Sequence, residues 1–170
     1  MSRALLVIDL QNDYFPGGKF PLWNTEKTLS TVVNAMQKAL AQGMPVIIIQ
    51  HVADSQRIAP FFNAGTEGVA VHPAILAAAP EAPLVVKQFA DSFHATNLEE
   101  TLACLGVTEL LICGMMTQNC VTHTAISKAA EKYGVTVLTD CCTTVDEMIH
   151  NIALHALSTR VLLAPAAKVL

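Results

Sequence analysis

Residues 4–9 read Ala4-Leu5-Leu6-Val7-Ile8-Asp9, an unbroken apolar run closed by a carboxylate. Such a run, with no polar alternation, marks a strand buried on both faces, as strands of parallel sheets are. The same pattern recurs down the chain. Val46–Ile49 ends just before His51, Leu84–Val86 is closed by Lys87, and Glu109–Cys113 runs into Gly114. Val135–Leu138 and Val161–Leu163 complete six strands.

The intervening segments carry helical periodicity. Leu29, Val32, Val33, Met36 and Leu40 fall at i, i+3, i+4, i+7 and i+11. Asn24 or Thr25 caps that helix, and Gly43 with Pro45 stops it. Residues 52–83 are irregular, punctuated by four prolines, with a short helix at 74–79. Thr96 and Glu99 have capping-box spacing and open a helix with Leu98, Leu102 and Leu105 on one face. A longer helix is expected from Gln118 to Tyr133. Thr144 and Glu147 form a second capping box for a helix reaching Leu157. Strands alternating with helices at this spacing predict an α/β fold. The architecture is a three-layer sandwich around a doubly wound, mainly parallel six-stranded sheet, with residues 1–170 as one domain.

Composition narrows the function classes. The formal charge of −4 provides no basic field, so neither nucleic acid nor an acidic membrane surface is an expected partner. Apolar runs fall well short of the roughly 20 residues of a bilayer span, and Met1–Leu10 lacks a secretory h-region, so a cytoplasmic protein is expected. Hydrophobic residues reach 52% against 14% charged, and mean hydropathy is +0.44. So much apolar surface on a small domain predicts burial against further subunits, hence a homo-oligomer. The segment 146–157 is apolar around most of its circumference, which agrees. Five cysteines without CxxC spacing read as free thiols rather than a disulfide or zinc framework. Cys104 and Cys113 read as core residues, and Cys141 and Cys142 as a turn after the fifth strand.

Ligands of open parallel sheets bind outside the carboxyl ends of the strands. Asp9, His51 and Lys87 end the first three strands there, and Cys120 lies a few residues beyond the fourth. With Thr117 as N-cap, Cys120 falls in the first turn of a helix, where the dipole and free N–H groups stabilise a thiolate or an oxyanion. Lys87 would depress the thiol pKa further, and Asp9 could carry a proton between thiol and leaving amine. Each residue also has a structural reading: a buried thiol, a snorkelling lysine, a turn aspartate. His123, three residues after Cys120, keeps a Cys–His dyad open. A redox or transferase thiol and a non-catalytic ligand-binding protein are open as well. Gln11, Phe15, Trp23 and His51 follow the first two strands and are expected to line a small-molecule pocket. The scattered histidines predict no metal site, and no cofactor is expected.

Three separated stretches carry a family resemblance. Val7-Ile8-Asp9-Leu10-Gln11-Asn12-Asp13-Tyr14-Phe15 resembles the DxQNDF opening of the isochorismatase-like cysteine hydrolases. Lys87, in Val85-Val86-Lys87-Gln88-Phe89-Ala90-Asp91-Ser92-Phe93, looks like the lysine motif of that family with its Ser-Phe pair. Cys113-Gly114-Met115-Met116-Thr117-Gln118-Asn119-Cys120-Val121-Thr122-His123-Thr124-Ala125 is similar to the GxxTxxCVxxTA nucleophile signature. The resemblance implies an αβα sandwich and a triad of Asp9 as acid and base, Lys87 as electrostatic activator and Cys120 as nucleophile. It also implies a cis peptide between Met115 and Met116, and an oxyanion hole from the N–H groups of Met116 and Cys120. The DxH…H zinc site of nicotinamidases has no counterpart in His51-Val52-Ala53-Asp54-Ser55. A cysteine nucleophile implies hydrolysis of a C–N bond through a thioester.

Overall fold

A computed structural model describes residues 2–170. One sheet runs in the order β3-β2-β1-β4-β5-β6, with every neighbouring pair parallel. The strands are β1 (Arg3–Ile8), β2 (Val46–His51), β3 (Leu84–Lys87), β4 (Glu109–Met115), β5 (Gly134–Thr143) and β6 (Leu162–Ala164). The helices are α1 (Thr25–Ala41), α2 (Pro73–Ala78), α3 (Leu98–Cys104), α4 (Thr122–Ala125) and α5 (Glu147–Leu157). The apolar runs of β1 and β4 occupy the centre and are buried, as continuous hydrophobic strands must be. Among the described residues no helix is long and apolar enough to cross a membrane.

The chain moves from β1 outward to β3, then returns to the other side of β1 and moves outward again to β6. Right-handed crossovers therefore place the helices of the two halves on opposite faces. Side-chain pairs agree: Lys132 reaches Glu99 of α3, and Tyr133 stacks on Phe93 at 6.2 Å, so the segments after β3 and β4 share a face. The direction reverses between β1 and β4. Their carboxyl ends flank the crevice in which such a fold holds ligands.

Several local expectations are corrected. The 118–133 helix is three pieces: a π-helical turn at Thr117–Val121, α4, and a 3-10 helix at Lys128–Lys132. Ser127 divides them, because its hydroxyl accepts from Ala129 N–H and donates to Asp91. Strand β5 continues to Thr143, placing Cys141 and Cys142 within it. After a register shift, Gly114 pairs with Cys142 and Met115 with Thr143, so the end of β4 needs that extension. Neither capping box forms as spaced. Asp146 caps α5 by accepting from Ile149 N–H, while Thr144 donates to Gln118. Thr96 Oγ1 accepts from Leu98 N–H at the start of α3, but Asn97 is the residue next to the helix, and Cys104 and Leu105 are exposed at its far end. Met148 and Ile152 of α5 point outward, 72% and 62% exposed.

Candidate active site

Asp9 leaves β1 with φ 55°, a left-handed conformation that aspartate tolerates better than most residues. The end of β4 presses against this turn. A Cβ on Gly114 would lie 2.0 Å from the Ile8 carbonyl oxygen, and its φ is 126°, so only glycine fits. The peptide between Met115 and Met116 is cis. The π-helical turn follows at once and carries Cys120 under the carboxyl end of the sheet. Lys87 closes β3 from the other side.

These placements converge on one ammonium. Lys87 Nζ lies 3.0 Å from Asp9 Oδ2, 3.2 Å from Cys120 Sγ, 2.9 Å from His51 Nδ1 and 3.0 Å from the Phe89 carbonyl oxygen. Asp9, Lys87 and Cys120 are all buried. Burial opposes the charge on Lys87, but the neighbouring Asp9 and Cys120 outweigh it and raise its pKa, so the amine stays protonated. Burial and the Asp9 carboxylate push the Cys120 thiol well above its ordinary value, against the opposing pull of Lys87. The expected low-pKa thiolate is therefore not the resting form. Thr117 does not cap a helix over Cys120 either. Met116 precedes the turn, and Thr117 Oγ1 is 2.8 Å from His150 Nδ1. Asp9 Oδ1 is buried with no hydrogen-bond partner among the described residues, while Oδ2 is held by Lys87.

Asp9, His51 and Cys120 offer oxygen, nitrogen and sulfur atoms within 4.8 Å of one another, a donor set zinc would accept. Lys87 Nζ stands within hydrogen-bonding distance of all three residues. The cation in this cage is the ammonium, and the residues present do not fit a metal as well.

The pocket residues separate by role. His51 joins Asp9 and Cys120 around the Lys87 ammonium. The Gln11 side chain is engaged within the fold: its amide donates to the carbonyls of His51 and Val69 at 2.8 Å, and its Oε1 accepts from His51 N–H at 2.8 Å. It is fully buried and clamps the end of β2 instead. Phe15 is buried with its ring 4.5 Å from His72. Trp23 is half-buried, 6.1 Å from His150 beside the π-helical turn. His123 is exposed and bonds the Asn119 carbonyl, apart from the Lys87 cluster.

Residues that sequence reasoning passed over complete the surroundings. Phe62, in the 52–83 insert, is buried 5.8 Å from the His51 ring. Its N–H donates to buried Asp13, which also accepts from Lys19 N–H. Thr124 of α4 donates to Ser92 at 2.8 Å and accepts from Ser92 N–H, fastening the loop that holds the Phe89 carbonyl to α4, directly after the Cys120 turn. The Ser-Phe pair was the available signal for Ser92. Phe62 gave none, because φ 62° at a phenylalanine is not readable from its type.

With the fold and this cluster in view, comparison with known proteins is unambiguous. The isochorismatase domain matches residues 3–166, and the chain belongs to the isochorismatase family of hydrolases. It is 38% identical over 151 residues to the isochorismatase family protein YddQ of Bacillus subtilis, covering 89% of this chain and 83% of that one. It is 28% identical over 180 residues to the nicotinamidase of Escherichia coli, covering 82% of each. An isochorismatase family protein from Desulfovibrio vulgaris superposes with a TM-score of 0.88 at 25% identity, over 98% of this chain and 95% of that one.

Proposed function

We propose that the chain is a cysteine amidohydrolase that cleaves a C–N bond of a small molecule through a thioester on Cys120. The observation that carries this reading is the single buried ammonium of Lys87 bridging Asp9 and Cys120. As Sγ attacks the carbonyl carbon, Asp9 takes the thiol proton and Lys87 stabilises the sulfur as it loses that proton. The carbonyl oxygen, now negative, is received by the N–H groups of Met116 and Cys120. Asp9 returns the proton to nitrogen, the C–N bond breaks, and ammonia or an amine leaves. Asp9 then takes a proton from water, the hydroxide displaces sulfur, and the carboxylic acid departs as Cys120 regains its proton. Asp9 Oδ1, the carboxylate atom with no partner, suits this shuttle.

The Asp9 carboxylate close to Cys120 favours this reading over a redox one, because amide hydrolysis needs a group that takes and returns the thiol proton. Sensor cysteines are accessible, low-pKa thiols, and Cys120 is neither. The kinship with a nicotinamidase supports amide chemistry. The reading takes the protein to work as a homo-oligomer, supported by the outward apolar residues of α5. Ammonia release from a panel of small primary amides tests it. Wild type should turn over at least one, and Cys120→Ala should lose at least about 10³-fold in rate while keeping its fold. Undiminished turnover by Cys120→Ala refutes the reading.

A further inference from the structure

We propose that His51 Nε2–H selects the substrate, by donating a hydrogen bond to a neutral acceptor on the acyl part of the amide. The inference rests on the amidohydrolase reading and narrows its substrate class.

Most polar atoms of His51 are already engaged. Its backbone N–H and carbonyl are both held by the Gln11 side chain. Its Nδ1 is 2.9 Å from Lys87 Nζ. Because that amine is an ammonium and can only donate, Nδ1 must accept, and the ring proton resides on Nε2. Burial and Lys87 lower the imidazole pKa, in keeping with a neutral ring. The tautomer is thus set by the catalytic lysine itself.

Nε2 has no partner among the described residues and is absent from the buried unsatisfied atoms, so it reaches solvent. The His51 side chain is 22% exposed where those of Asp9 and Lys87 are closed. A His51 nitrogen lies within 4.8 Å of Cys120 Sγ. A molecule whose carbonyl carbon meets Sγ therefore comes beside the ring that carries this unused donor. Phe62 forms an apolar wall 5.8 Å from that ring. A fixed donor beside an apolar wall selects a carbonyl, ether or ring nitrogen a few bonds from the scissile carbonyl. It leaves an all-hydrocarbon acyl group with an unpaired N–H.

Aldehydes test this without a known substrate. Cys120 Sγ adds to the aldehyde carbon, the thiol proton passes to the oxygen, and a reversible thiohemiacetal forms. The probes are benzaldehyde and the three pyridine carbaldehydes, labelled with carbon-13 at the carbonyl and titrated by NMR. Cys120→Ala subtracts adducts at other thiols, and free N-acetylcysteine gives each probe's intrinsic electrophilicity. After that correction, the best pyridine isomer should bind wild type about tenfold more tightly than benzaldehyde. His51→Leu should erase the preference, and His51→Gln, which keeps a donor, should retain part of it. A wild-type preference equal to that of N-acetylcysteine, or one unchanged in His51→Leu, overturns the assignment. Should adducts form on Cys120 without any preference, the hydrolase reading stands and the His51 inference falls. Should no probe form an adduct on Cys120, both fall.

Discussion

Lys87 holds its charge among Asp9, Cys120, His51 and one carbonyl, away from solvent. A buried ion pair is a weak source of net stability, but removing one partner strands the other charge. Lys87→Met should therefore abolish turnover and destabilise the fold by about 3–5 kcal/mol, read as a lowered urea midpoint. Adding Asp9→Asn should recover part of that loss, and a double variant less stable than Lys87→Met would contradict the pairing. The Cys120 thiol gives a second prediction. Burial and Asp9 raise its pKa, so native alkylation of Cys120 should climb only above the ordinary thiol range near pH 9. Asp9→Asn, which removes a raising charge, should shift that rise to lower pH. Fast labelling near pH 6 would contradict the account. At this scale the sequence was a good guide to which residues meet, since Asp9 and Lys87 each end an apolar strand. It was a poor guide to the state of the thiol. The N-cap assignment to Thr117 implied a helix dipole on Cys120, and burial depth could not be read from residue type.

Between β1 and β4 the decisive contact is Gly114 against Ile8. Gly114→Ala would set a methyl 2.0 Å from a backbone oxygen at a φ that L-residues avoid, with neither partner able to move cheaply. A loss of more than about 3 kcal/mol is expected, together with loss of activity, from thermal melting and ammonia release. The 52–83 insert is anchored differently. Asp13 bonds the N–H groups of Phe62 and Lys19, and a Cβ on Gly68 would collide with its carboxylate. Asp13→Ala should cost about 2–4 kcal/mol and make the insert accessible to limited proteolysis. An insert as protease-resistant as in wild type would show that Asp13 is not its anchor. Elements with one unambiguous pattern, the helical period of α1 and the unbroken apolar run of β1, were legible in the sequence. The region 117–133 was not, because its apolar spacing suits one helix, while Ser127 and the contacts of the π-helical turn divide it. The end of β5 was hidden for a related reason. Thr139-Asp140 looks like a strand end, yet the pairing of Gly114 with Cys142 carries the strand through.

For the molecule as a whole, four thiols stay protonated beyond their ordinary range. Burial raises Cys113, Cys120, Cys141 and Cys142, the last to about 12. Between about pH 9 and the folded values, the native state keeps protons that the unfolded chain releases. Stability therefore falls as pH rises, by about 1.4 kcal/mol per unit for each thiol and about 5.6 for the four together. Urea unfolding at pH 8, 9 and 10 should show a progressively lower midpoint, and a flat response would contradict the burial assigned to these groups. The sheet order itself follows from alternation and handedness. The face of α5 bearing Met148 and Ile152 was visible in the sequence as an all-round apolar helix, though not which side stays outside. Every step of the proposed chemistry passes through an acylated Cys120. The most direct test is acid quenching of the enzyme during turnover of an active amide, followed by peptide mass spectrometry. The account predicts an acyl group, the substrate less its amine, on the peptide carrying Cys120 and on no other. Steady ammonia release with that peptide unmodified throughout, and undiminished release by Cys120→Ala, would contradict it.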